Sequence, residues 1–197
     1  MKPTAQQLQP LITLTGKISP LSEPEMEAFL APFEMFTAAR KVILTPAGEP
    51  ERYLYFVLDG VQRIYQTMQD GREATLVFTY PPSFAGVLDA MISGKTSKYD
   101  FETLTASRFL RAPVSDILAM ASKYSSIKDL ITMGLAQSIT GLLERLAEMQ
   151  CLSSEEKFRN LLSRSPHILT WVPHKYLANY IGIDATNFSK FINSVKA

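Results

Sequence analysis

The chain has 197 residues, of which 46% are hydrophobic and 20% are charged, and its formal net charge is +1. This composition is ordinary for a folded globular protein of one large or two small domains, so it excludes a mainly disordered chain. No stretch of about 20 apolar residues is present, the N-terminus lacks a signal-peptide core, and the single cysteine, Cys151, excludes an internal disulfide framework. We therefore expect a cytoplasmic protein with no membrane partner.

Charge is unevenly distributed along the chain. Residues 1–150 carry 14 Lys and Arg against 16 Asp and Glu, whereas residues 151–197 carry 6 against 3. A small basic segment behind a faintly acidic body favours a C-terminal module that faces a polyanion. The sequence has no dense Lys/Arg cluster, which argues against strong non-specific binding to nucleic acid.

Residues 18–38 predict a helix near the start of the chain. Ser22-Glu23-Pro24-Glu25 combines an N-cap residue with an early proline and with acids that favour the N-terminal end of the helix dipole. Apolar residues then recur at helical spacing as far as Phe33.

Residues 41–113 change to the period of β-strands. Asp59-Gly60 and Asp70-Gly71 lie about eleven residues apart between β-prone runs and predict hairpins. Short strands at this spacing predict an antiparallel barrel or jelly roll. The predicted strands are Val42–Leu44, Tyr53–Leu58, Val61–Gln66, Ala74–Tyr80 and a last stretch within Phe101–Leu110.

Residues 114–150 predict a long helix with an apolar seam. Seam residues recur at spacings of 4, 3, 4 and 3, which is an a/d pattern of about two heptads. Such a seam either packs on the core of its own domain or pairs with a second copy of the chain, and two heptads do not decide between these. The seam residues are Leu135, Ile139, Leu142, Leu146 and Met149.

The most specific pattern lies in residues 177–191. Ala178 allows two helices to approach closely, Gly182 permits the left-handed conformation that ends the first helix, and Asp184 can cap the second. This layout predicts a helix-turn-helix, whose second helix enters the major groove of DNA, with an ordinary helical hairpin as the alternative. The inner faces would be formed by Leu177, Ile181, Ile183, Phe188 and Phe191.

Four segments resemble the Crp–Fnr family of bacterial transcription regulators, in particular its short Bacteroidetes-type members. They are Tyr53–Gly60, Asp70–Glu73, Ser154–Phe158 and Val172–Ile183, and their order covers nearly the whole chain. The resemblance implies an α+β fold and favours a homodimer interface at the seam. It divides the chain into an effector-sensing β-roll of the cyclic-nucleotide-binding type with an N-terminal helix (1–113), a long dimerisation helix (114–150) and a DNA-binding helix-turn-helix domain (151–197).

In nucleotide-binding family members, a short loop and helix hold the cyclic phosphate. The chemistry needs backbone N–H groups, an Arg for the phosphate and a Glu for a ribose hydroxyl. The resemblance places Gly86, Val87 and Leu88 in the first part of this motif, and Ser97, Lys98 and Tyr99 in the second.

Three departures from that motif argue against binding of cyclic AMP. Val87 stands where the Glu is expected, and its side chain accepts no hydrogen bond. Ser97 or Lys98 stands in the place of the Arg, and lysine lacks the bidentate fork of a guanidinium. Leu142 and Leu143 fall where polar residues would contact adenine. The pocket is therefore expected to hold another small anion beside Lys98 and Gly86, a more apolar ligand, or no effector at all.

Metal, cofactor and catalytic sites are not indicated. Iron–sulfur sensing in the family uses several cysteines, and both histidines, His167 and His174, lie outside the sensor domain, where a haem would need its ligand. A cupin-type enzyme needs clustered histidines on strands, and residues 41–113 contain none. We expect no cofactor, no metal and no enzymatic activity.

The second helix of the helix-turn-helix carries the expected DNA contacts. Ala185 suits a thymine methyl group, and Thr186 and Asn187 suit base edges. Ser189 and Lys190, together with His174 and Lys175 of the first helix, suit phosphates. No winged hairpin follows in the sequence, so we expect weak, salt-sensitive DNA binding by a dimeric regulator. The alternative is a ligand- or protein-binding dimer of the same fold that has lost DNA binding.

Overall fold

The computed structural model describes residues 1–196, and the chain divides into two compact units. The first unit contains residues 1–64 and 78–137. The second contains residues 65–77 and the chain from residue 138 onward. A short piece of the predicted roll therefore groups with the C-terminal helices.

Eight strands form two four-stranded sheets. Their orders are β1-β8-β3-β6 and β2-β7-β4-β5, so consecutive strands repeatedly change sheet. Strand β8 lies antiparallel to both β1 and β3. This is the predicted jelly roll, and the predicted α+β class is confirmed. The strands are β1 (Glu34–Ala38), β2 (Ile43–Thr45), β3 (Tyr53–Asp59), β4 (Gln62–Thr67), β5 (Glu73–Thr79), β6 (Ser83–Ala85), β7 (Asp100–Thr103) and β8 (Ser107–Pro113).

Only one of the two Asp-Gly signals marks a hairpin. Asp70-Gly71 joins the neighbouring strands β4 and β5, with the Met68 N–H donating to the Arg72 carbonyl at 2.8 Å. Asp59-Gly60 instead joins β3 and β4, which lie in different sheets, so the predicted hairpin there is wrong. Both glycines have positive φ, because each turn is sharp. The dipeptide therefore specified the reversal of the chain and not the pairing of the strands.

The N-terminal helices differ from the prediction. Helix α2 (Glu23–Leu30) begins after Ser22 with the expected capping box, but the helical region does not extend to residue 38, because 34–38 is strand β1. A further helix, α1 (Ala5–Ile18), starts at a capping box between Thr4 and Gln7 that the prediction missed. A short helix, α3 (Leu88–Ser93), follows β6.

The helical region 114–150 contains two helices rather than one. Helix α4 (Val114–Lys123) ends at Tyr124, whose extended backbone breaks the run, and α5 (Ser125–Cys151) follows. The last β-prone stretch likewise holds two strands, β7 and β8. The short interruptions at residues 124 and 104–106 contain neither Pro nor Gly, which is why the sequence pattern did not indicate them.

The core of the first unit lies between the helices and one sheet. Phe56 of β3 and Leu110 of β8 are fully buried and belong to one apolar cluster with residues of α1 to α5. The alternating residues of the same strands point the other way, into the roll. The buried helix residues of this cluster are Leu11, Phe29, Met91, Val114, Ile117, Ile127 and Leu130.

The second unit contains the C-terminal half of α5 and four shorter helices. Ser153 caps the first of them, accepting from the Glu156 N–H at 3.3 Å, as the sequence predicted. The core is aromatic, with the Phe158 and Phe188 rings edge to face at 5.3 Å. The helices are α6 (Ser154–Arg164), α7 (Ile168–Trp171), α8 (His174–Tyr180) and α9 (Ala185–Lys196).

Candidate effector cassette and DNA-reading helices

The predicted effector motif forms the loop between β6 and α3. Gly86 has φ +127°, a conformation that other residues rarely adopt, and Val87 is the buried N-cap residue of α3. An added Cβ at Gly86 would lie 3.0 Å from Met91 Cε and 3.4 Å from Glu51 Oε2. The loop is therefore packed tightly against the residues that precede β3.

A carboxylate of the protein itself binds this loop. The Val87 N–H donates to Glu51 Oε2 at 2.9 Å, and the Thr45 hydroxyl donates to Glu51 Oε1 at 2.9 Å. Glu51 is only 6% exposed. Burial raises the pKa of the Glu51 carboxyl, and the hydrogen bond from Val87 opposes that rise. One N–H of the loop is thus used inside the protein.

The second part of the predicted motif, Ser97–Tyr99, makes no hydrogen bond to this loop in the described residues. Ser97 is buried, and its hydroxyl donates to the Tyr99 carbonyl at 2.6 Å and accepts from the Tyr99 N–H. The backbone of Ser97 bonds to Gly48 and Glu49. Lys98 is exposed, and Leu88 packs against the helical core. Of the six predicted effector residues, Gly86 and Val87 lie at Glu51.

The interior of the roll is filled by side chains. The Tyr55 ring lies 5.6 Å from Phe101 of the opposite sheet and 5.3 Å from Phe109. Gln62 also bridges the sheets, donating to the Ser107 hydroxyl at 2.9 Å and accepting from Thr79 at 3.0 Å. Both contacts occupy volume in which a ligand would otherwise lie.

A cavity of about 260 Å³ remains beside the filled interior. It lies between β1, β2 and the segment before β3, with Phe36, Tyr53, Glu51 and Arg111 in its wall. None of the six predicted effector residues lines it. The cavity is smaller than the roughly 300–1,000 Å³ usual for sites that hold small molecules.

The helix-turn-helix has the predicted geometry. Gly182 has φ +65°, and Leu177, Ala178, Ile181 and Phe188 are buried. The turn is closed by the Gly182 N–H, which donates to the Asn179 carbonyl at 3.1 Å. The side chain of Asp184 accepts from the Asn187 N–H at 2.9 Å and caps α9.

The outer face of α9 is exposed. Ala185, Thr186, Ser189 and Lys190 are all solvent-accessible, as are His174 and Lys175 of α8. Two side chains that were predicted to contact DNA already have partners in the protein. The Asn187 amide donates to Asp184 Oδ2 at 2.5 Å, and the Ser189 hydroxyl donates to the Ala185 carbonyl. Among the described residues, the other exposed polar side chains of this set make no hydrogen bond to a protein group: they are Thr186, Lys190, His174 and Lys175.

Comparison with known proteins agrees with this architecture. Residues 37–124 match the family model of the cyclic nucleotide-binding domain, whereas no curated protein matches the chain. Solved structures with matching folds include FixK2 of Bradyrhizobium japonicum, which has a TM-score of 0.76 and 16% identity over 83% of this chain and 84% of that one. The chain has the Crp–Fnr fold. The resemblance inferred from the sequence is confirmed at this level.

Two further structures with this fold cover most of both chains. The c-di-GMP responsive global regulator CLP of Xanthomonas campestris has a TM-score of 0.65 and 16% identity over 89% of this chain and 92% of its own. A candidate Crp/Fnr-family transcriptional regulator of Eubacterium rectale has a TM-score of 0.70 and 13% identity over 89% and 84%. At these identities the likeness concerns the fold.

The long helix of the Crp–Fnr fold carries an exposed apolar face. We call this face the α5 stripe, and its side chains are 50–60% exposed. Leu143 belongs to it although the heptad pattern left it out, whereas Leu135 is half-buried. Met149 is also half-buried, and its Cε lies 2.4 Å from the position that a Cβ of Gly182 would take. The stripe consists of Ile139, Leu142, Leu143 and Leu146.

The described residues contain neither a metal-binding cluster nor a membrane-spanning helix. Among them, no group of three His, Cys, Asp or Glu side chains could hold a metal ion. No helix in residues 1–196 is long and apolar enough to cross a bilayer. Sequence reasoning missed Glu51, since a glutamate before a strand carries no signal that its partner is a loop 36 residues later.

Proposed function

We propose that the protein is a dimeric, DNA-binding transcription regulator of the Crp–Fnr type. The observation that carries this proposal is the exposed outer face of α9 on a well-packed helix-turn-helix. A helix presented in this way enters the major groove, and its exposed side chains contact base edges and phosphates. Thr186 is the candidate base-edge contact, and Lys175 and Lys190 are the candidate phosphate contacts.

A homodimer completes the proposed DNA-binding unit. The α5 stripe places four half-exposed aliphatic side chains on one side of a 27-residue helix. A second copy of the helix would cover these side chains, and the twofold axis would pair the two copies of α9 about 34 Å apart, one turn of DNA.

We infer that the loop between β6 and α3, which contains Gly86 and Val87, does not bind cyclic AMP. Glu51 accepts a hydrogen bond from the Val87 N–H, Val87 offers no carboxylate to a ribose, and Lys98 is exposed. A cyclic phosphate would also meet the negative charge of Glu51 when that group is ionised. We expect cyclic AMP at millimolar concentration to leave the melting temperature of the protein unchanged, as measured by differential scanning fluorimetry.

The DNA-binding proposal is tested by a mobility shift with the DNA upstream of the protein's own gene, at about 50 and 200 mM salt. Lys175→Ala and Lys190→Ala should each weaken binding several-fold and reduce the slope of log K against log salt by about 1.8, because a twofold dimer loses two phosphate contacts. Lys123→Ala is the control, because Lys123 is an equally exposed lysine of α4. No shift at low salt with protein in excess would contradict the proposal.

One observation favours a second candidate function. The Asn187 amide and the Ser189 hydroxyl are both bonded within their own helix region, which occupies one predicted base-edge contact and one predicted phosphate contact. The second candidate is a dimer of the same fold that binds a ligand or a protein and has lost DNA binding. The same mobility shift separates the two, since the second candidate predicts no shift at either salt concentration.

A further inference from the structure

The cavity of about 260 Å³ lies between the two sheets, where β1 and β2 each form the edge of a sheet. We call it the edge cavity. One wall comes from β1, β3 and β8 of one sheet and carries Phe36, Tyr53 and Arg111. Facing sheets pack about 10 Å apart, so a cavity between them is a slot that suits a flat molecule. The opposite wall is aliphatic and comes from β2 and the residue before it, namely Val42, Ile43 and Leu44.

The aliphatic wall is partly open to solvent, and its backbone is irregular. Val42 and Ile43 are 37% and 46% exposed. The pairing of β2 with β7 shifts register between Ile43 and Thr45, and Lys41 has φ +61°, which residues other than glycine rarely adopt. Bulges and unusual backbone conformations are frequent beside binding sites. The fold therefore leaves apolar surface uncovered at the entrance to the edge cavity.

Arg111 is the polar group of the aromatic wall. Its guanidinium carbon lies 4.0 Å from the centre of the Phe36 ring and 4.3 Å from that of Tyr53. Glu34 Oε1 accepts from Nε at 2.9 Å and from Nη2 at 2.8 Å, and the Tyr55 hydroxyl accepts another hydrogen bond. These contacts hold the guanidinium in place. In residues 1–196 they use three of its five N–H groups, which leaves donors for an acceptor on a ligand.

The charged residues in the wall of the edge cavity balance one another. They are Glu49, Glu51, Arg52 and Arg111, and their formal charges sum to zero. A charged ligand would lose its hydration without meeting a net opposite charge. An uncharged ligand avoids this cost and can still accept a hydrogen bond from Arg111. The wall therefore favours a neutral molecule with one acceptor.

The volume of the edge cavity limits the ligand to a compact molecule. At about 30 Å³ for each water-sized group, the cavity has room for roughly nine such groups. An aromatic ring with a small carbonyl substituent has this size. It is also flat, as the slot requires, and its oxygen is a single acceptor.

We propose that the edge cavity is a ligand site, separate from the loop between β6 and α3, that binds small uncharged aromatic carbonyl compounds. The aromatic ring lies between Tyr53 and Ile43, and the carbonyl oxygen accepts a hydrogen bond from Arg111. Every residue of this site belongs to the first unit, so the proposal depends neither on DNA binding nor on the dimer.

Three probe molecules of matched shape test the site in the full-length, isotope-labelled protein. Acetophenone has the ring and the carbonyl, α-methylstyrene replaces the carbonyl oxygen by CH₂, and benzoate replaces the methyl group by a charged oxygen. Acetophenone should shift the NMR amide signals of Ile43, Tyr53 and Arg111 with a dissociation constant on the order of 1 mM. α-Methylstyrene should bind about fivefold more weakly because it lacks the acceptor, and benzoate should also bind more weakly than acetophenone.

Two results with the wild-type protein would overturn the proposal. If about 10 mM acetophenone, roughly ten times the expected dissociation constant, left the three amide signals unshifted, the edge cavity would not be a site for this class of compound. If benzoate bound as tightly as acetophenone, the site would accept anions, and the assignment to uncharged ligands would be wrong.

Arg111→Met tests the contact with the carbonyl oxygen. The substitution removes the donors and keeps much of the side-chain length, so acetophenone and α-methylstyrene should bind with equal affinity. A general disturbance of the fold would instead weaken both probes and keep the preference. Arg108→Met is the control, because Arg108 lies on the same strand, is 58% exposed and pairs with Asp59. An unchanged preference in Arg111→Met would overturn the role of Arg111.

Ile43→Asn tests the aliphatic wall at a position where the side chain is already half-exposed, so that folding is little affected. It should weaken the binding of acetophenone and α-methylstyrene alike, by about fivefold, because both lose apolar contact. Ile92→Asn is the control, since Ile92 of α3 is 43% exposed and lies outside the edge cavity. Wild-type affinity for both probes in Ile43→Asn would overturn the edge cavity as the place where they bind.

Discussion

At the scale of single residues, Glu51 makes the stability of the protein depend on pH. Burial raises the pKa of its carboxyl above the ordinary value of 4.5. The folded protein therefore binds more protons at this site than the unfolded chain, and stability is lost as pH rises from 4.5 through the folded pKa. We expect Glu51→Gln, which stays neutral, to remove this loss, so that its melting temperature falls less than the wild-type value between about pH 4.5 and 7.

Glu49→Gln is the matched control, because Glu49 lies in the same segment and is exposed. It should keep the wild-type dependence of melting temperature on pH. Carboxyls elsewhere are common to all three proteins and cancel in the comparison. A Glu51→Gln protein with the same pH dependence as the wild type would show that the buried carboxyl does not titrate as the structure indicates.

The residues that the sequence could predict are those with local partners. Gly182 and Asp184 were identified because a helix end and a helix start specify their own residue types within a few positions. Glu51 bonds to a residue 36 positions away, and Asn179 bonds to residues 104 and 106 positions away. Such pairs exist only after the roll has folded, so no local pattern indicates them.

At the scale of secondary-structure elements, the turn of the helix-turn-helix depends on Gly182. Its φ of +65° is costly for alanine, and an added Cβ would meet Met149 Cε. We expect Gly182→Ala to lower the free energy of unfolding of the second unit by about 1–2 kcal/mol. The measurement is urea unfolding followed by the fluorescence of Trp171, the sole tryptophan, which lies in α7 of that unit.

Gly141→Ala is the control for this substitution. Gly141 lies inside α5 in the same unit, and an added Cβ there would meet nothing within 4 Å. Alanine in a helix interior is favoured over glycine by roughly 0.5–1 kcal/mol, so this variant should be more stable than the wild type. A change of the same sign in both variants would contradict the role assigned to the turn.

The prediction of elements succeeded where their ends carry signals. The capped starts at Ser22 and Ser153 were recognised, and both helices begin there. Tyr124 breaks the long helical region with an extended backbone, yet nothing in its residue type indicates a break. The two sheets of the roll exchange strands at Asp59-Gly60, and that choice depends on long-range packing of the whole roll.

At the scale of the whole molecule, the α5 stripe predicts the oligomeric state. Leu142→Glu should convert a dimer to a monomer of 22.0 kDa, measured by analytical ultracentrifugation. Complete burial of an exposed leucine contributes about 1.5–3 kcal/mol, and Leu142 is 50% exposed, so each copy contributes about half of that. A twofold dimer loses two copies, so the dissociation constant should rise at least about tenfold.

Gln137→Glu provides the matched control for the charge. Gln137 is exposed on the same helix but lies on the side opposite to Leu142 by helical geometry. This variant should remain a dimer. A wild-type protein that sediments as a monomer at micromolar concentration would refute the dimer, and so would a Leu142→Glu variant that keeps the wild-type mass.

The amide of Asn179 has a consequence for fragments of this protein. Its Oδ1 accepts from the Thr75 N–H, its Nδ2 donates to the Glu73 carbonyl, and Arg145 donates to the Thr75 carbonyl. A version truncated after α4 would keep β5 as the final strand of its sheet and would lose these contacts. Bare edges of this kind recruit strands from other molecules, which leads to aggregation. Isolated rolls cut from this chain should accordingly precipitate unless a lysine or proline is engineered into residues 73–76 as a gatekeeper.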